Sequence, residues 1–331
     1  MTDKADIRKL VHTPAEMMTG YMAWAEQAQD NPGIKFGVSA IDQKMIPMRP
    51  GELVCLMGRP GDGKTSILAY LAKQEADRII ARKAAKHEAV VYVTWEQSCE
   101  ELTAFFMAGD KYSVSDVAWG RVDLDTIRKQ VVKGVHVPIW VIGHGIGRAG
   151  EKTPRMTPDA VLEAIESMQA DFGIRPTLIL FDYLQLIPIP NARERVQQVT
   201  EVPIRIKEVA LRVGVPAVAG VQASRDVDNR QEKLAELRDA QWASSIEQTS
   251  DKVFSLWRPA RTQAIGSYIG STENGHRYEV TDNLLLVRML KQRGDRGRFT
   301  WALYFNPAYL KLAEMETRQT GGMDYDPYPG D

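Results

Sequence analysis

The sequence contains little cysteine, no long apolar run and almost no net charge. Its 331 residues include two cysteines, Cys55 and Cys99, which are too few and too unlike a metal motif to suggest more than reduced thiols. The longest apolar stretches, such as residues 177–187 with Asp182 inside, are too short to span a membrane, and the N-terminus lacks the apolar region of a signal peptide. We therefore expect a cytoplasmic protein that does not bind membranes.

The charge balance excludes a protein that is basic throughout. Forty-two Lys and Arg residues face 43 Asp and Glu residues, for a net charge of −1. No overall field draws the chain to nucleic acid or anionic lipid, so any contact with nucleic acid must be local. A hydrophobic content of 44% with 26% charged residues is that of an ordinary globular protein, so we expect one large domain with short extensions.

The most informative feature that the chain does contain is a glycine-rich turn. Residues 58–65 fit the P-loop pattern G-x-x-x-x-G-K-[ST], in which backbone N–H groups wrap phosphates. An apolar strand at residues 53–57 precedes the turn and an amphipathic helix at residues 65–82 follows it, which disfavours a chance hairpin turn. The predicted nucleotide-binding residues are Gly58, Arg59, Pro60, Gly61, Asp62, Gly63, Lys64, Thr65 and Ser66. Lys64 is expected to reach the phosphates and Thr65 to ligate Mg²⁺.

Apolar runs alternate with helical patterns through most of the chain. This alternation predicts an α/β fold with a mostly parallel sheet covered by helices on both faces. The predicted strands are residues 89–95, 137–142, 177–184 and 216–222, and the predicted helices are residues 100–108, 124–132, 158–172 and 193–213. Closely spaced strands at residues 252–257, 284–291 and 298–305 then predict an antiparallel extension of the sheet.

Both ends of the chain differ from the central part. Thr13, Pro14 and Glu16 form a helix start signal, so we expect a helix over residues 14–28, which carries an apolar stripe. Its members are Met17, Met18, Tyr21 and Trp24. The breaker at residues 30–33 separates this helix from the strands, and its stripe packs either on its own domain or on an adjacent subunit. The predicted divisions are an arm at 1–32, a main domain at 33–314 and a disordered acidic tail at 315–331.

Three polar residues end predicted strands beside the P-loop. Residues 177–182 are a Walker B pattern, which delivers Asp182 to the carboxyl edge of the sheet to hold the Mg²⁺ shell. Glu96 ends another strand, and is either the base that orients the attacking water or a solvated carboxylate. Gln222 ends a further strand, where an uncharged amide can sense a γ-phosphate.

Two basic segments have more than one interpretation. Residues 223–241 include Arg225, Arg230, Lys233 and Arg238, and form either a loop that binds a polyanion or solvated surface. Residues 291–298 form either a simple hairpin tip or an arginine finger, in which Arg293 stabilises charge on a phosphate bound by a neighbour.

In this order along the chain, these landmarks resemble the C-terminal ATPase domain of the DnaB-type replicative helicases, a RecA-like family of hexameric helicases. The likeness spans roughly residues 33–312. Residues 94–98, Thr-Trp-Glu-Gln-Ser, are similar to the family's Ser-Leu-Glu-Met-Ser, and residues 182–186 read Asp-Tyr-Leu-Gln-Leu as in the family. Residues 222–225, 237–251 and 291–297 add further matches.

The resemblance implies a RecA-like P-loop ATPase core and a role for each matching residue. Lys64 and Thr65 would bind ATP and Mg²⁺, Asp182 would complete the metal site, Glu96 would be the catalytic base, and Gln222 would couple the γ-phosphate to the next loop. Lys291 and Arg293 would act on the next subunit's nucleotide, which implies a homo-oligomer, either a hexameric ring or a helical assembly. Arg238 and Asp239 would contact single-stranded DNA, on the loop that also carries Arg225 and Arg230.

The sequence also departs from the family. About fifty residues precede the P-loop, too few for the family's N-terminal scaffold domain, which also contacts primase. The segment at 239–244 is longer than the family loop, and its Trp242 either stacks on a base or anchors the loop in the core. The sequence predicts an ATP-dependent helicase or translocase on single-stranded DNA. The alternative is an ATPase switch that does not unwind DNA and that serves a replication, recombination or defence complex.

Overall fold

The apolar runs of the sequence become the strands of one sheet. The computed structural model describes residues 11–30, 32–107, 112–145, 155–189, 195–240, 243–270, 277–295 and 298–315. The strands are β1 Leu53–Gly58, β2 Glu88–Thr94, β3 Ile139–Ile142, β4 Arg175–Asp182, β5 Ala217–Gln222, β6 Lys252–Trp257, β7 Tyr268–Ile269, β8 Tyr278–Glu279, β9 Leu284–Gln292, β10 Thr300–Asn306 and β11 Lys311–Glu314.

In the described part of the chain, two helices precede the first strand, and the others lie between consecutive strands of the parallel part of the sheet. The helices are α1 Pro14–Asp30, α2 Ser39–Asp42, α3 Lys64–Ala81, α4 Cys99–Met107, α5 Val114–Ala118, α6 Leu124–Gly134, α7 Pro158–Phe172, α8 Arg195–Val213 and α9 Ala243–Thr249. Short 3₁₀ turns cover Leu184–Leu186, Arg225–Asn229, Leu237–Asp239 and Pro259–Arg261.

Nine strands form the main sheet, in the order β11-β10-β9-β6-β1-β5-β4-β2-β3. The pairs from β6 through β3 are parallel, and those that join β9, β10 and β11 to this part are antiparallel. This arrangement confirms the predicted mostly parallel sheet with its antiparallel C-terminal extension. The strand β11 and the small β7–β8 hairpin were not predicted.

Alternate residues of the central strand face two separate core layers. Val54 and Leu56 pack in the layer that includes Ile67 of α3. Leu53, Cys55 and Met57 point the other way, into the layer that includes α7 and α8. Full burial of a large aliphatic side chain contributes about 1.5–3 kcal/mol, and a register shift by one residue would exchange the two faces. The burial of β1 on both faces therefore fixes where the P-loop begins.

The N-terminal helix α1 exposes the stripe that the sequence predicted. Thr13 caps the helix through a reciprocal pair of bonds with Glu16, since the Glu16 N–H donates to Thr13 Oγ1 at 3.3 Å and the Thr13 N–H donates to Glu16 Oε2 at 2.6 Å. Met17, Met18 and Tyr21 are each more than half exposed. Trp24 stacks with Tyr21 and lies under the Arg49 guanidinium at 4.9 Å, and is still 51% exposed.

Three predictions concern residues outside the described part of the chain. These are the role of Trp242, the state of residues 316–331, and the residues before 11.

Both cysteines are free thiols, as predicted, and burial raises the pKa of Cys55 to about 12. Among the described helices, none is both long enough and apolar enough to cross a membrane.

Candidate functional site

Strand register brings the predicted nucleotide residues to one edge of the sheet. Gly58 at the end of β1 pairs with Gln222 at the end of β5, and Thr94 at the end of β2 pairs with Asp182 at the end of β4. Glu96 follows two residues after Thr94. Because the carboxyl ends of parallel strands share an edge, the P-loop, Asp182, Glu96 and Gln222 lie together there. We call this edge of the sheet the carboxyl edge.

The P-loop has the conformation that phosphate binding needs. Gly63 has a φ of 90° at the N-cap of α3, and a Cβ there would lie 2.7 Å from the Phe305 ring. Only glycine takes this conformation without strain. No side chain caps the N-terminus of α3, so its N–H groups and helix dipole are available to an anion.

Lys64 is held inside the loop by the loop's own carbonyl groups. Its ammonium donates to the Gly58 carbonyl at 2.9 Å and to the Arg59 carbonyl at 3.0 Å. Burial lowers the pKa of Lys64 to about 8, and the nearby carboxylates of Asp62, Asp182 and Glu96 oppose this effect. The lysine therefore carries a charge that is partly desolvated and that a phosphate would stabilise.

Asp62 ties the P-loop to the segment after β6. The residue is 1% exposed. Its carboxylate accepts hydrogen bonds from the N–H groups of Arg59 at 2.8 Å and Arg258 at 3.3 Å, and pairs with the Arg261 guanidinium at 2.8 Å. Burial raises the pKa of Asp62, and the bond from Arg261 is the main opposing effect. Arg258 and Arg261 were not predicted as site residues, because nothing local in the sequence links them to Asp62.

The surroundings of Asp182 fit a magnesium ion. Tyr92 donates to Asp182 Oδ2 at 3.0 Å, while Oδ1 is buried and has no hydrogen-bond partner among the described residues. Burial raises the pKa of Asp182, and the hydroxyls of Thr65 and Tyr92 oppose the rise. A carboxylate and a hydroxyl, together with phosphate and water oxygens, are the ligands that Mg²⁺ prefers. The described residues contain no cluster of three or more acidic, His or Cys ligands, so phosphate and water would have to supply the other ligands.

Glu96 and Gln222 lie at the same edge with different surroundings. Glu96 is exposed, and its negative charge is among the causes that raise the pKa of Asp182, after burial. Gln222 is half-buried, and its main-chain carbonyl accepts a hydrogen bond from Gln185 Nε2 at 3.2 Å. Their positions are compatible with the predicted roles, which stay predictions.

The segment after β5 is closed into a compact loop. A bridge between Ala223 and Ala240 joins its two ends. Arg230 makes a two-pronged ion pair with Asp239, at 2.5 and 2.6 Å, and Asp239 is buried. The pair uses both terminal nitrogens of Arg230 and both carboxylate oxygens of Asp239, so the two charges compensate each other within the loop. Arg225 is exposed.

Arg238, the other exposed arginine of this loop, is largely available to solvent. Its side chain is 73% exposed, and it lies 3.6 Å from the Glu236 carboxylate. Such exposed pairs are weak. Of the four residues predicted to contact DNA, Arg225 and Arg238 therefore have accessible charges.

The other predicted catalytic residues lie at the opposite edge of the sheet. Arg293 follows β9, its N–H donates to the Asp251 carbonyl at 2.8 Å, and its guanidinium lies 3.2 Å from the Asp251 carboxylate. That carboxylate also accepts a bond from the Leu53 N–H, at the start of β1.

Lys291 lies at the same edge and donates to the carbonyls of Glu247 and Ser250. Burial lowers the pKa of Lys291, and the positive charge of Arg293 adds to the effect. We call this region the amino edge.

The length of β1 separates the two edges. Its six residues rise about 3.3 Å each, or about 17 Å from Leu53 to Gly58. Arg293 begins at the Leu53 end, and Lys64 lies beyond the Gly58 end. Although the Arg293 side chain is 64% exposed, it therefore cannot reach the P-loop of its own subunit.

Comparison with known proteins supports the family that these motifs suggest. The family model of the DnaB-like helicase C terminal domain matches residues 33–314. The Replicative DNA helicase DnaB of Rickettsia bellii is 26% identical over 308 residues, which cover 86% of this chain and 58% of that protein. This chain thus spans less than two thirds of the length of that relative.

Solved structures show the same fold. A solved ATPase domain matches with a TM-score of 0.72 at 20% identity, over 92% of this chain and all of that one. The structure of a DnaB-like replicative helicase, solved to describe its interactions with primase, matches with a TM-score of 0.70 at 19% identity, over 92% of this chain and 68% of that one. With a family model that covers most of its length, the chain belongs to the DnaB-like helicase C-terminal domain family.

Proposed function

We propose that the chain is an ATP-hydrolysing translocase on single-stranded DNA, of the DnaB type, with its nucleotide bound between subunits. The observation that supports this most is the separation of Lys64 and Arg293 onto opposite edges of one sheet. A subunit that holds phosphate at its carboxyl edge needs the amino edge of a neighbour to supply the arginine. Head-to-tail contacts of this kind generate rings or helical assemblies.

At the carboxyl edge each residue has a distinct task. The N–H groups at the start of α3 and the Lys64 ammonium bind the phosphates. Thr65 and Asp182 would hold Mg²⁺, which neutralises phosphate charge when bound. Glu96 orients the attacking water and accepts its proton, and its exposure leaves it accessible to that water.

The proposed DNA contact rests on the loop at residues 223–240. Arg225 and Arg238 present charges that a phosphate backbone can reach. The Arg230–Asp239 pair shapes the loop, since two hydrogen bonds between a guanidinium and a carboxylate fix their relative orientation. The loop begins directly after Gln222, so the residue proposed to sense the γ-phosphate is connected to the residues proposed to contact DNA.

The exposed stripe of α1 is suited to tie subunits together. We propose that it docks on a second copy of the chain. A candidate acceptor is an apolar groove of about 280 Å³ between α4, α6 and β3, which includes Phe106, Val131 and Val135. Val132 on α6 and Val135, directly after its last residue, are 69% and 75% exposed. Two exposed apolar surfaces on one chain can cover each other in an assembly.

Nucleotide affinity should depend on pH through Lys64. Its pKa of about 8 means that the free protein loses the ammonium charge between pH 7 and pH 9. Bound phosphate favours the charged form and raises this pKa, so binding takes up a proton and weakens as pH rises. Calorimetric titration with ADP should show about tenfold lower affinity at pH 9 than at pH 7. Lys64→Arg, which stays charged, should flatten the profile, and an equally flat wild-type profile would contradict the assignment.

Arg293→Ala should abolish ATP turnover while leaving the ADP affinity of a subunit nearly unchanged, because the arginine acts on the neighbour's nucleotide. Mixing it with Lys64→Ala should restore partial turnover, measured as phosphate release. Some interfaces of the mixed assembly are complete, because a Lys64→Ala subunit supplies Arg293 to the intact P-loop of an Arg293→Ala subunit. Arg298→Ala, an exposed arginine nearby, is the control and should retain turnover. No rescue in assemblies that are shown to be mixed would mean that Arg293 acts within its own subunit.

Arg238→Ala should weaken binding of single-stranded DNA equally for all sequences. Loss of one phosphate contact should reduce the slope of log affinity against log salt by about 0.7. Anisotropy titrations at several salt concentrations measure both quantities. Arg128→Ala is a matched control, since Arg128 is also 73% exposed but lies on α6. Equal effects of the two substitutions would exclude a specific contact by Arg238 and favour the ATPase switch that does not unwind DNA.

The double variant Met18→Ser with Trp24→Ser should assemble poorly. Burying these two side chains in an interface would contribute a few kcal/mol, on the order of 1.5–3 kcal/mol for each. Sedimentation velocity with ATP should therefore show smaller species at concentrations where the wild type is a full oligomer. Glu26→Ala changes the polar face of the same helix and should assemble normally. If the double variant also forms the full oligomer, α1 is not a docking element.

A further inference from the structure

The second residue of the P-loop turn, Arg59, extends out of the nucleotide site to the neighbouring loop. Its side chain is 14% exposed. Nη1 donates to the Ala223 carbonyl at 3.0 Å, Nε donates to Asp228 Oδ2 at 3.0 Å, and Nη2 lies 2.8 Å from the same oxygen. The guanidinium is thus attached to the loop at residues 223–240 in two places.

The backbone of Arg59 is fixed on the nucleotide side. Its carbonyl accepts a hydrogen bond from the Lys64 ammonium at 3.0 Å, and its N–H donates to Asp62 at 2.8 Å. An ammonium group has three protons to donate. Two of them donate to the Gly58 and Arg59 carbonyls, so a phosphate that Lys64 binds shares this ammonium with the Arg59 carbonyl. Arg59 is therefore sensitive to phosphate at its backbone and attached to the loop by its side chain.

The part of the loop that Arg59 holds is hydrogen-bonded to the segments that carry the proposed DNA contacts. Asp228 and Arg225 lie on the same 3₁₀ turn, Arg225–Asn229, which Ser224 caps. The Ser224 N–H donates to the Asp239 carbonyl at 2.7 Å, and the bridge from Ala223 to Ala240 closes the loop. A displacement at Asp228 is thereby transmitted to the backbone that carries Arg225 and Arg238.

We infer that the Arg59–Asp228 ion pair couples phosphate occupancy to the grip of this loop on single-stranded DNA. The inference rests on the proposed function, and adds a route separate from Gln222. Asp228 is a positioning residue, since it acts through its contact with the Arg59 side chain and is not itself among the residues proposed to bind nucleotide or DNA. The pair is short and its arginine is mostly buried, which makes its geometry well defined. A coupling of this kind changes DNA affinity between nucleotide states by about 5- to 150-fold.

Asp228→Asn tests the coupling, because it keeps the shape of the side chain and removes the charge that holds Arg59. The measurement is the ratio of single-stranded DNA affinities with a non-hydrolysable ATP analogue and with ADP, for the full chain. We expect the wild-type ratio to differ clearly from one, and the Asp228→Asn ratio to fall to within about twofold of one. The ATPase rate without DNA should stay within about twofold of wild type, and Asp228→Glu should recover much of the ratio.

Asp226→Asn provides the matched control. Asp226 lies on the same 3₁₀ turn and its substitution changes the net charge equally, but its carboxylate is bonded to Ser224 rather than to Arg59. Its affinity ratio should equal that of the wild type. A wild-type ratio in the Asp228→Asn protein, or equal losses in both variants, would overturn the coupling.

The same data separate the coupling from the proposed function. A wild-type protein that hydrolyses ATP and binds DNA with one affinity in both nucleotide states overturns the coupling alone. A wild-type protein that does not bind single-stranded DNA overturns both. Thermal unfolding of each variant establishes that it is folded before the ratios are compared.

Discussion

The burial of β1 on both faces determines where the chemically important groups can lie. A strand packed between two core layers cannot shift its register without exchanging the apolar residues of both layers. Its carboxyl end therefore places the P-loop beside Asp182 and Gln222, and its amino end places Asp251 beside Arg293. Since these ends are about 17 Å apart, Arg293 and the P-loop of one subunit cannot meet, and this separation is the basis of the proposal that a neighbouring subunit completes the site.

Charged pairs make the P-loop part of a larger framework. Asp62 ties it to the segment after β6 through Arg258 and Arg261, and Arg59 ties it to the loop after β5. The Asp62 carboxylate is buried, so loss of Arg261 would leave an uncompensated charge there, which costs more than the pair contributes when intact. The phosphate-binding loop is thereby fixed in shape and connected to two neighbouring segments, one of which carries the proposed DNA contacts.

The sequence predicted the elements whose signals are local. Helix α7 has the predicted bounds Pro158–Phe172, because Thr157 caps its start and Gly173, at a φ of 67°, ends it. The strand Lys252–Trp257 also has its predicted bounds, because its buried pattern is continuous. The residues of the carboxyl edge were predicted for the same reason, since each motif combines a strand with the turn that follows it.

Long-range pairs were not predictable in this way. Asp62 and Arg261 are 199 residues apart, and Arg59 and Asp228 are 169 apart. The Arg230–Asp239 pair is closer along the chain, yet charges in a polar segment look alike whether they face solvent or each other. Which arginines are accessible and which support a loop became visible only when the tertiary contacts were known.

The proposed site between subunits can be observed directly in the assembled protein. Electron cryomicroscopy of the Glu96→Gln protein with ATP, Mg²⁺ and single-stranded DNA should capture the oligomer before hydrolysis. We expect nucleotide between adjacent subunits, with Lys64 of one subunit and Arg293 of the next on the same phosphates, and DNA beside Arg225 and Arg238. Nucleotide bound in separate monomers, with Arg293 still paired to Asp251 and far from any phosphate, would contradict it.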